Sequence, residues 1–496
     1  MKKIISIILL SLTVGISACQ KDYFNLETNP NSPSVATPGF LLSGSLKVTG
    51  DIVNTNFATF GVWMQYWTPS GNYVPNANLF TYNYTDVDYQ VWTQLYSNAS
   101  NYDALEKRAA ADPALANFQA IASIMKAYDF QALVDVYNNV PYTEAFKGIE
   151  NISPAYDKGE FIYDDLLVKL DQAIALIKSS GTAQNPGNSD IMYGGVMTNW
   201  VKFANTLKLR IVIRQSNLVA KKGALTANLQ ATAADGYIDG TSGAEINPGY
   251  SNSDALGGQQ SPFWRIYGFD QNNNVTGNND YYRASSYAIG KLNSYNDPRV
   301  SRFYETLVTG ASAGTIRGNV FGDPNARSNA TTSGIGPGLL KDASQNAVIF
   351  SAAEALFLQA EGAETGLVSG SAQAYYEAGI TASFTSTGVP TPDAAAMAYY
   401  GQAIDNVGYV ASTNKIQAII TQKWAALNGY GHLESYNEYR RTGFPADVPR
   451  SIAAGTLGTT IPSRIFYPST EYQQNAANVA NEGTIDRFTS KIFWAK

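Results

Sequence analysis

The chain has 496 residues, 45% of them hydrophobic but only 15% charged, below the roughly 25% charge of ordinary soluble domains. With 34 basic against 40 acidic residues and a net charge of −6, it lacks the cationic stripe that neutralises phosphates, which excludes nucleic-acid binding. One cysteine and one histidine exclude thiolate zinc sites, CxxC redox pairs, disulfide frameworks and multi-histidine metal centres within one chain.

Lys2 and Lys3 precede an apolar run from Ile4 to Leu12. That run is shorter than the ~20 residues that span a bilayer and reads as the n- and h-regions of a secretory signal. It closes on Ile16-Ser17-Ala18-Cys19, with small residues before the only thiol, and resembles a bacterial lipobox. The resemblance implies a signal peptide over 1–18, cleavage before Cys19, and diacylglycerol and palmitate-type acyl chains on that residue. Two or more chains make a stable anchor, at about 0.8 kcal/mol per buried CH₂. Residues 19–37 are polar, carry Pro30 and Pro33, and read as a tether. The remainder, 38–496, reads as a single helical-repeat domain.

Apolar periodicity predicts helices over about 38–56, 86–110, 114–137 and 160–178. Met197, Trp200, Ala204, Leu207 and Ile211 mark another, followed by one over about 281–294. Ile349, Ala352, Ala353, Leu356, Phe357 and Ala360 repeat the pattern, and further helices fall near 371–384, 394–405, 413–427 and 432–441. Pro113, a polar loop near 181–194 and Gly366 to Gly370 punctuate the series. In the pair 351–366 and 371–384, Ala353, Ala360, Ala374 and Ala378 place small residues where helices would approach closely. The pair is similar to a tetratricopeptide unit, which buries its faces by stacking on neighbours. The expected fold class is therefore all-α, a tetratricopeptide-like superhelix. Long insertions at about 57–85, 237–280, 306–345 and 442–490, rich in Gly, Asn, Ser and aromatics, are expected to carry function.

The catalytic motifs do not survive inspection. Gly310-Ala311-Ser312-Ala313-Gly314 fits a nucleophile-elbow pattern, but Gly318, Gly322 and Pro324 deny it the following helix. In the loop from Asp270 to Asp280, Asp270, Asn272 and Asn274 match the first three EF-hand positions, but Val275 replaces the glycine and Tyr281 the bidentate glutamate. Calcium bound by another geometry stays open; otherwise no cofactor is expected. Glu434 and Glu438 share a helix face, the minimum for paired-carboxylate chemistry, but Arg441 is placed to pair with Glu438, and a solvated or ion-paired face is the favoured reading. Gly334 to Gly338 lacks the last glycine of a dinucleotide fingerprint.

The aromatic insertions are more informative. Trp63, Tyr66, Trp67, Tyr73, Phe80, Tyr82 and Tyr84 lie among Asn, Gln, Thr and Gly, and a second cluster holds Phe263, Trp264, Tyr267, Phe269, Tyr281 and Tyr282. Those at helical spacing, such as Trp63 with Tyr66 and Trp67, include core residues. Aromatics in amide-rich loops suit a sugar, whose CH face stacks on a ring while its hydroxyls bond to amides; they also suit an extended peptide. The candidate ligand residues are Trp67, Tyr73 and Trp264 first, then Tyr66, Tyr267, Tyr281 and Tyr282.

Several runs together carry a family resemblance. Asn25-Leu26-Glu27-Thr28-Asn29-Pro30 follows the lipobox; then come Pro141-Tyr142-Thr143-Glu144-Ala145, the helix around Trp200 to Arg210, and Asn296-Asp297-Pro298-Arg299. The helix from Ala352, Gln422 to Leu427, Glu438 to Gly443, and Arg464-Ile465-Phe466-Tyr467-Pro468 complete the series. The chain resembles the SusD/RagB family of nutrient-binding outer-membrane lipoproteins of Bacteroidota. The resemblance implies a right-handed superhelix of tetratricopeptide-like pairs, without enzymatic activity. It implies a cell-surface protein, lipid-anchored in the outer membrane, acting as a lid over a SusC-type TonB-dependent β-barrel transporter. Such a protein captures an oligosaccharide, glycan or peptide and passes it to the barrel. The quoted runs are architectural, so no family binding residue is carried over. Low charge favours a neutral glycan. The alternatives are a peptide-binding member of the family, a lipoprotein glycosidase using two carboxylates, and a repeat scaffold that binds another protein.

Overall fold

The computed structural model describes residues 36–496 apart from residue 242. The expected signal peptide 1–18, Cys19 and the tether as far as residue 35 lie outside the described residues.

The body is a succession of antiparallel helix pairs. Trp92–Ala110 packs on Ala116–Tyr137, which packs on Gly159–Ser179, and that helix packs in turn on Met197–Arg214. Met197–Arg214 meets Ala352–Glu364, which lies between Ala372–Thr387 and Lys415–Ala426. Each helix therefore buries one face on its predecessor and another on its successor, as in stacked helical repeats. Ala116–Tyr137 sits deepest and is buried nearly all round, as its almost continuous apolar sequence demands. The fold is all-α and tetratricopeptide-like.

Local chemistry sets the boundaries. Pro38 opens the first described helix, and the Thr37 hydroxyl accepts from the Phe40 amide at 3.3 Å. Ser351, Ser371 and Asn414 cap three later helices by accepting amides three residues on. Gly388 and Gly443 close theirs in the left-handed conformation, at φ 69° and 80°. Where Ala352–Glu364 and Ala372–Thr387 cross, a β-carbon on Gly379 would stand 3.0 Å from the Phe357 ring, so glycine lets the ring pack there without displacement.

Some boundaries differ from the sequence reading. The helix expected from 86 begins at Trp92, because Thr85 to Gln90 form a turn held by Asp88. Ile349 belongs to a strand, and the helix expected from 281 begins at Ser286. The displaced residues form two small antiparallel ribbons. β1 is Trp67–Pro69, β2 Ala244–Ile246, β3 Tyr282–Ala284 and β4 Ala347–Phe350. β1 pairs with β3 and β2 with β4. Trp67 lies opposite Ala284 and Pro69 opposite Tyr282. This ribbon joins the two aromatic insertions, which are far apart in the chain. The insertions also hold short helices, Ala58–Trp63, Ala77–Thr81, Pro262–Tyr267 and Gly277–Tyr281. One hydrophobic cluster runs from Leu42 to Trp494, and a second, between Ala353 and Ile419, fills the later repeats. Among the described residues no helix is long and apolar enough to cross a membrane.

Candidate ligand-binding depression

The β1–β3 ribbon places the end of one insertion beside the start of the other. The Ser70 amide donates to the Tyr281 carbonyl at 2.7 Å. Beyond Ser70 a third insertion braces the turn: the Gly71 amide donates to the Arg327 carbonyl at 2.9 Å, and Asn72 Oδ1 accepts the Asn329 amide at 2.7 Å. A β-carbon on Gly71 would lie 1.9 Å from the Ala326 carbonyl oxygen, so only glycine lets the two loops cross. Tyr73 is thereby carried to the surface opposite the helix Gly277–Tyr281, whose first turn is capped by Thr276.

The result is an open depression of about 600 Å³. Its walls include Tyr73, Tyr89, Tyr281 and Tyr282, with Asn76 and Asn278. Tyr73 and Tyr281 stand edge to face, centroids 5.1 Å apart at 82°, and Tyr281 meets Tyr282 at 4.9 Å and 86°. The rings thus form an aromatic corner rather than a flat row. Burial raises the Tyr281 hydroxyl pKa above its usual value, with Tyr73 adding to it; Tyr282 is raised by burial and by Tyr281. Burial, then Asp88, does the same to Tyr89. These three phenols stay neutral at any physiological pH, and the Tyr89 hydroxyl is enclosed within the protein. No Lys, Arg, His, Asp or Glu lines the depression.

Of the residues expected to touch ligand, Tyr73, Tyr281 and Tyr282 come together here. Three others are corrected. Trp67 and Tyr66 are fully buried and Tyr267 is 3% exposed. Trp67 is enclosed by Phe263, Tyr267, Tyr282 and His432. The Tyr66 hydroxyl donates to the Trp424 carbonyl at 2.6 Å, and that of Tyr267 to the Thr55 carbonyl at 2.9 Å. Strand pairing and these internal bonds turn the three rings inward, beneath the depression. Trp264 is half-buried beside Phe269, 5.2 Å between rings, and does not line it. Tyr89 was missed because its segment read as the start of a helix; its backbone is left-handed, at φ 58°.

The other sequence features find structural uses. Glu434 and Glu438 are an ion-paired, buried face rather than a solvated one. Glu434 pairs with Arg214, while Glu438 takes Lys423 at 2.8 Å and Arg441 at 2.5 Å. Arg441 also holds Glu361 at 2.7 Å, so the carboxylates tie several helices together. Asp270 Oδ1 accepts the Asn272 and Asn274 amides at 2.8 Å each, and Oδ2 accepts Asn274 Nδ2 at 2.9 Å. Asp270 thus closes its own loop. Among the described residues no group of three or more His, Cys, Asp or Glu side chains is placed to hold a metal ion. Gly310–Ser312 is a single exposed turn.

Stacked helical repeats bearing a neutral aromatic depression on their inserted loops define a class of fold that comparisons identify. A family described as "Starch-binding associating with outer membrane" matches residues 30–468. The chain belongs to this SusD-like family. Among solved structures it is similar to a chitin-binding protein at 25% identity and TM-score 0.73, covering 92% of this chain and 99% of that one. A chitin-binding SusD homolog from Flavobacterium johnsoniae is similar at 24% identity and TM-score 0.74, covering 91% and 98%. A SusD-like protein from Bacteroides thetaiotaomicron matches at 24% and 0.73, covering 92% and 99%. No curated protein sequence matches the chain.

Proposed function

We propose that the chain is a glycan-capture lipoprotein of the outer membrane, anchored through Cys19, that hands its ligand to a SusC-type TonB-dependent transporter. The observation that carries the reading is the open depression walled by Tyr73, Tyr89, Tyr281 and Tyr282 with Asn76 and Asn278. A sugar ring presents a CH face to a phenol and hydroxyls to amides and phenol oxygens. The family description and the chitin-binding names of two structural neighbours support a polysaccharide ligand. Capture is by stacking and hydrogen bonds, without covalent chemistry. In support, the carboxylates that could have served a glycosidase, Glu434 and Glu438, are spent on buried ion pairs.

Calorimetric titration of the detergent-solubilised protein with chitin- and starch-derived oligosaccharides tests the reading. Binding to at least one series is expected, weakened about tenfold by Tyr281→Ala through loss of one stacking face. Absence of binding across both series, or binding indifferent to Tyr281, would contradict it. Extraction from the native membrane in mild detergent should bring a β-barrel transporter in stoichiometric amount; a protein that emerges alone would remove the transporter from the account.

A further inference from the structure

We propose that a second cavity, built among the later repeats, binds a free aliphatic α-amino acid through both its charged groups. The cavity shares no wall residue with the aromatic depression, and the inference goes beyond the saccharide reading.

The cavity, of about 210 Å³, lies where three helix ends meet. One is the N-terminus of Ala352–Glu364, whose first residues stand in the wall together with the capping Ser351. The other two are C-termini. Thr385 to Thr387 end the helix Ala372–Thr387, and Leu427 and Asn428 follow Lys415–Ala426. Ser351 Oγ accepts the Glu354 amide at 3.1 Å. The Ala352 and Ala353 amides, first in the helix, have no acceptor within it. A helix N-terminus favours an anion and a C-terminus a cation. Ends of both kinds around one cavity suit a zwitterion.

Asn428 points to a ligand independently. It is 2% exposed and stands in the wall, and its Oδ1 has no partner. The Tyr304 hydroxyl donates to the Tyr66 carbonyl at 2.9 Å and so accepts from Asn428 Nδ2 at 3.1 Å, which fixes the orientation of the amide. Tyr304 is not a wall residue, so the oxygen is the end of the amide left for the cavity. A buried carbonyl oxygen without a donor is costly, and an ammonium group supplies the donor.

Among the described residues the charged side chains of the wall are Glu245, Lys341 and Glu354. Arg210, outside the wall, lies 3.4 Å from Glu354. Lys341 is exposed and Glu245 half-buried, so both signs of charge are available to a ligand. Leu339, Val348 and Ile349 add apolar surface for an aliphatic side chain. A cavity of about 150 Å³ holds benzene; this one suits a molecule the size of leucine.

Calorimetry on the full-length protein in detergent compares L-leucine with N-acetyl-L-leucine, which lacks the ammonium, and L-leucinamide, which lacks the carboxylate. L-Leucine should bind saturably. Each blocked form should bind at least about tenfold more weakly, through loss of charge-assisted hydrogen bonds. Lys341→Ala, at an exposed position, should weaken L-leucine about threefold at low salt. Ala382→Phe, which fills the cavity from a half-buried wall position, should abolish binding. Blocked forms that bind as tightly as L-leucine would overturn recognition of a zwitterion. Absence of saturable L-leucine binding, or binding that neither variant changes, would overturn the site. These outcomes are independent of the saccharide depression.

Discussion

Trp67 stands edge-on to His432, with ring centroids 4.5 Å apart and planes at 90°. On its other side Trp67 tilts against Tyr282 at 5.4 Å, and Tyr282 forms part of the depression wall. A single stack of rings thus runs from the surface to the only histidine of the chain. Tyr66 closes the far side, parallel to His432 at 5.6 Å. The floor of the depression is set by core packing, and the two can be separated by mutation.

His432 is buried, its Nε2 has no partner, and burial lowers its pKa to about 3. The unfolded chain would protonate it near 6.5. Between these values the unfolded state binds the extra proton, so the stabilisation is complete above about pH 6.5 and is lost as pH falls toward 3. The slope approaches about 1.4 kcal/mol per pH unit within that window. Because the chain has one histidine, its ring proton resonance is unambiguous. That resonance should show no titration between pH 8 and pH 5; a midpoint near 6.5 would contradict the enclosed stack.

Trp67→Ala and Tyr73→Ala should have opposite effects. Removing the buried Trp67 indole leaves a cavity among Phe263, Tyr267, Tyr282 and His432 and should cost about 3–5 kcal/mol of stability. Tyr73 is 38% exposed, and its loss should change stability by no more than about 0.5 kcal/mol while weakening oligosaccharide binding. Denaturant unfolding beside calorimetry measures both. Equal stability losses in the two variants would place Tyr73 in the core and undo the assignment.

Gly61 controls the same stack from below. A β-carbon there would lie 2.6 Å from Nδ1 of His432, and that ring is held by Tyr66 and Trp67. Gly61→Ala should cost about 1–3 kcal/mol by overpacking. In the background His432→Ala the same change should cost much less, a non-additivity expected of residues in contact. Strictly additive losses in unfolding experiments would show that the two do not meet.

The ion-paired helices yield an acid limb. Burial works to raise the Glu438 carboxyl, but Arg441 and Lys423 outweigh it and hold the pKa below the usual glutamate value. Glu434 is likewise held down by Arg210 and Arg214 against the effect of burial. Both contributions are present above about pH 4.3, the unfolded value, and are lost as pH falls through the lower folded values. Glu438→Gln leaves Arg441 and Lys423 short of a counter-charge and should cost about 3–5 kcal/mol at neutral pH. Below pH 4 the gap from the parent protein should narrow. A gap independent of pH, in melting experiments across that range, would contradict the pairing.

The helical frame was readable because the apolar residues of helices such as Met197–Arg214 recur at their proper spacing and Ser351, Ser371 and Asn414 announce helix starts. The candidate site was readable only in part. Tyr73, Tyr281 and Tyr282 share a local signature with Tyr66, Trp67 and Tyr267: aromatics among amides and glycines. What separates the two sets is the pairing of Trp67–Pro69 with Tyr282–Ala284, a long-range contact that local periodicity does not encode. Tyr89 escaped notice because Asp88 stops the helix through a side-chain turn. The pairing of Glu438 with Arg441 was legible from their spacing, whereas the partners Arg214 and Lys423 come from other repeats and leave no local signal.

The most direct measurement is a crystal structure of the protein with the tightest-binding neutral oligosaccharide. The account predicts sugar density in the aromatic corner, with rings against Tyr73 and Tyr281 and hydroxyls within hydrogen-bond distance of Asn76 or Asn278. Density instead in the more enclosed cavity of about 210 Å³ beside Ser351, Thr387 and Asn428, or against Trp264, would contradict it.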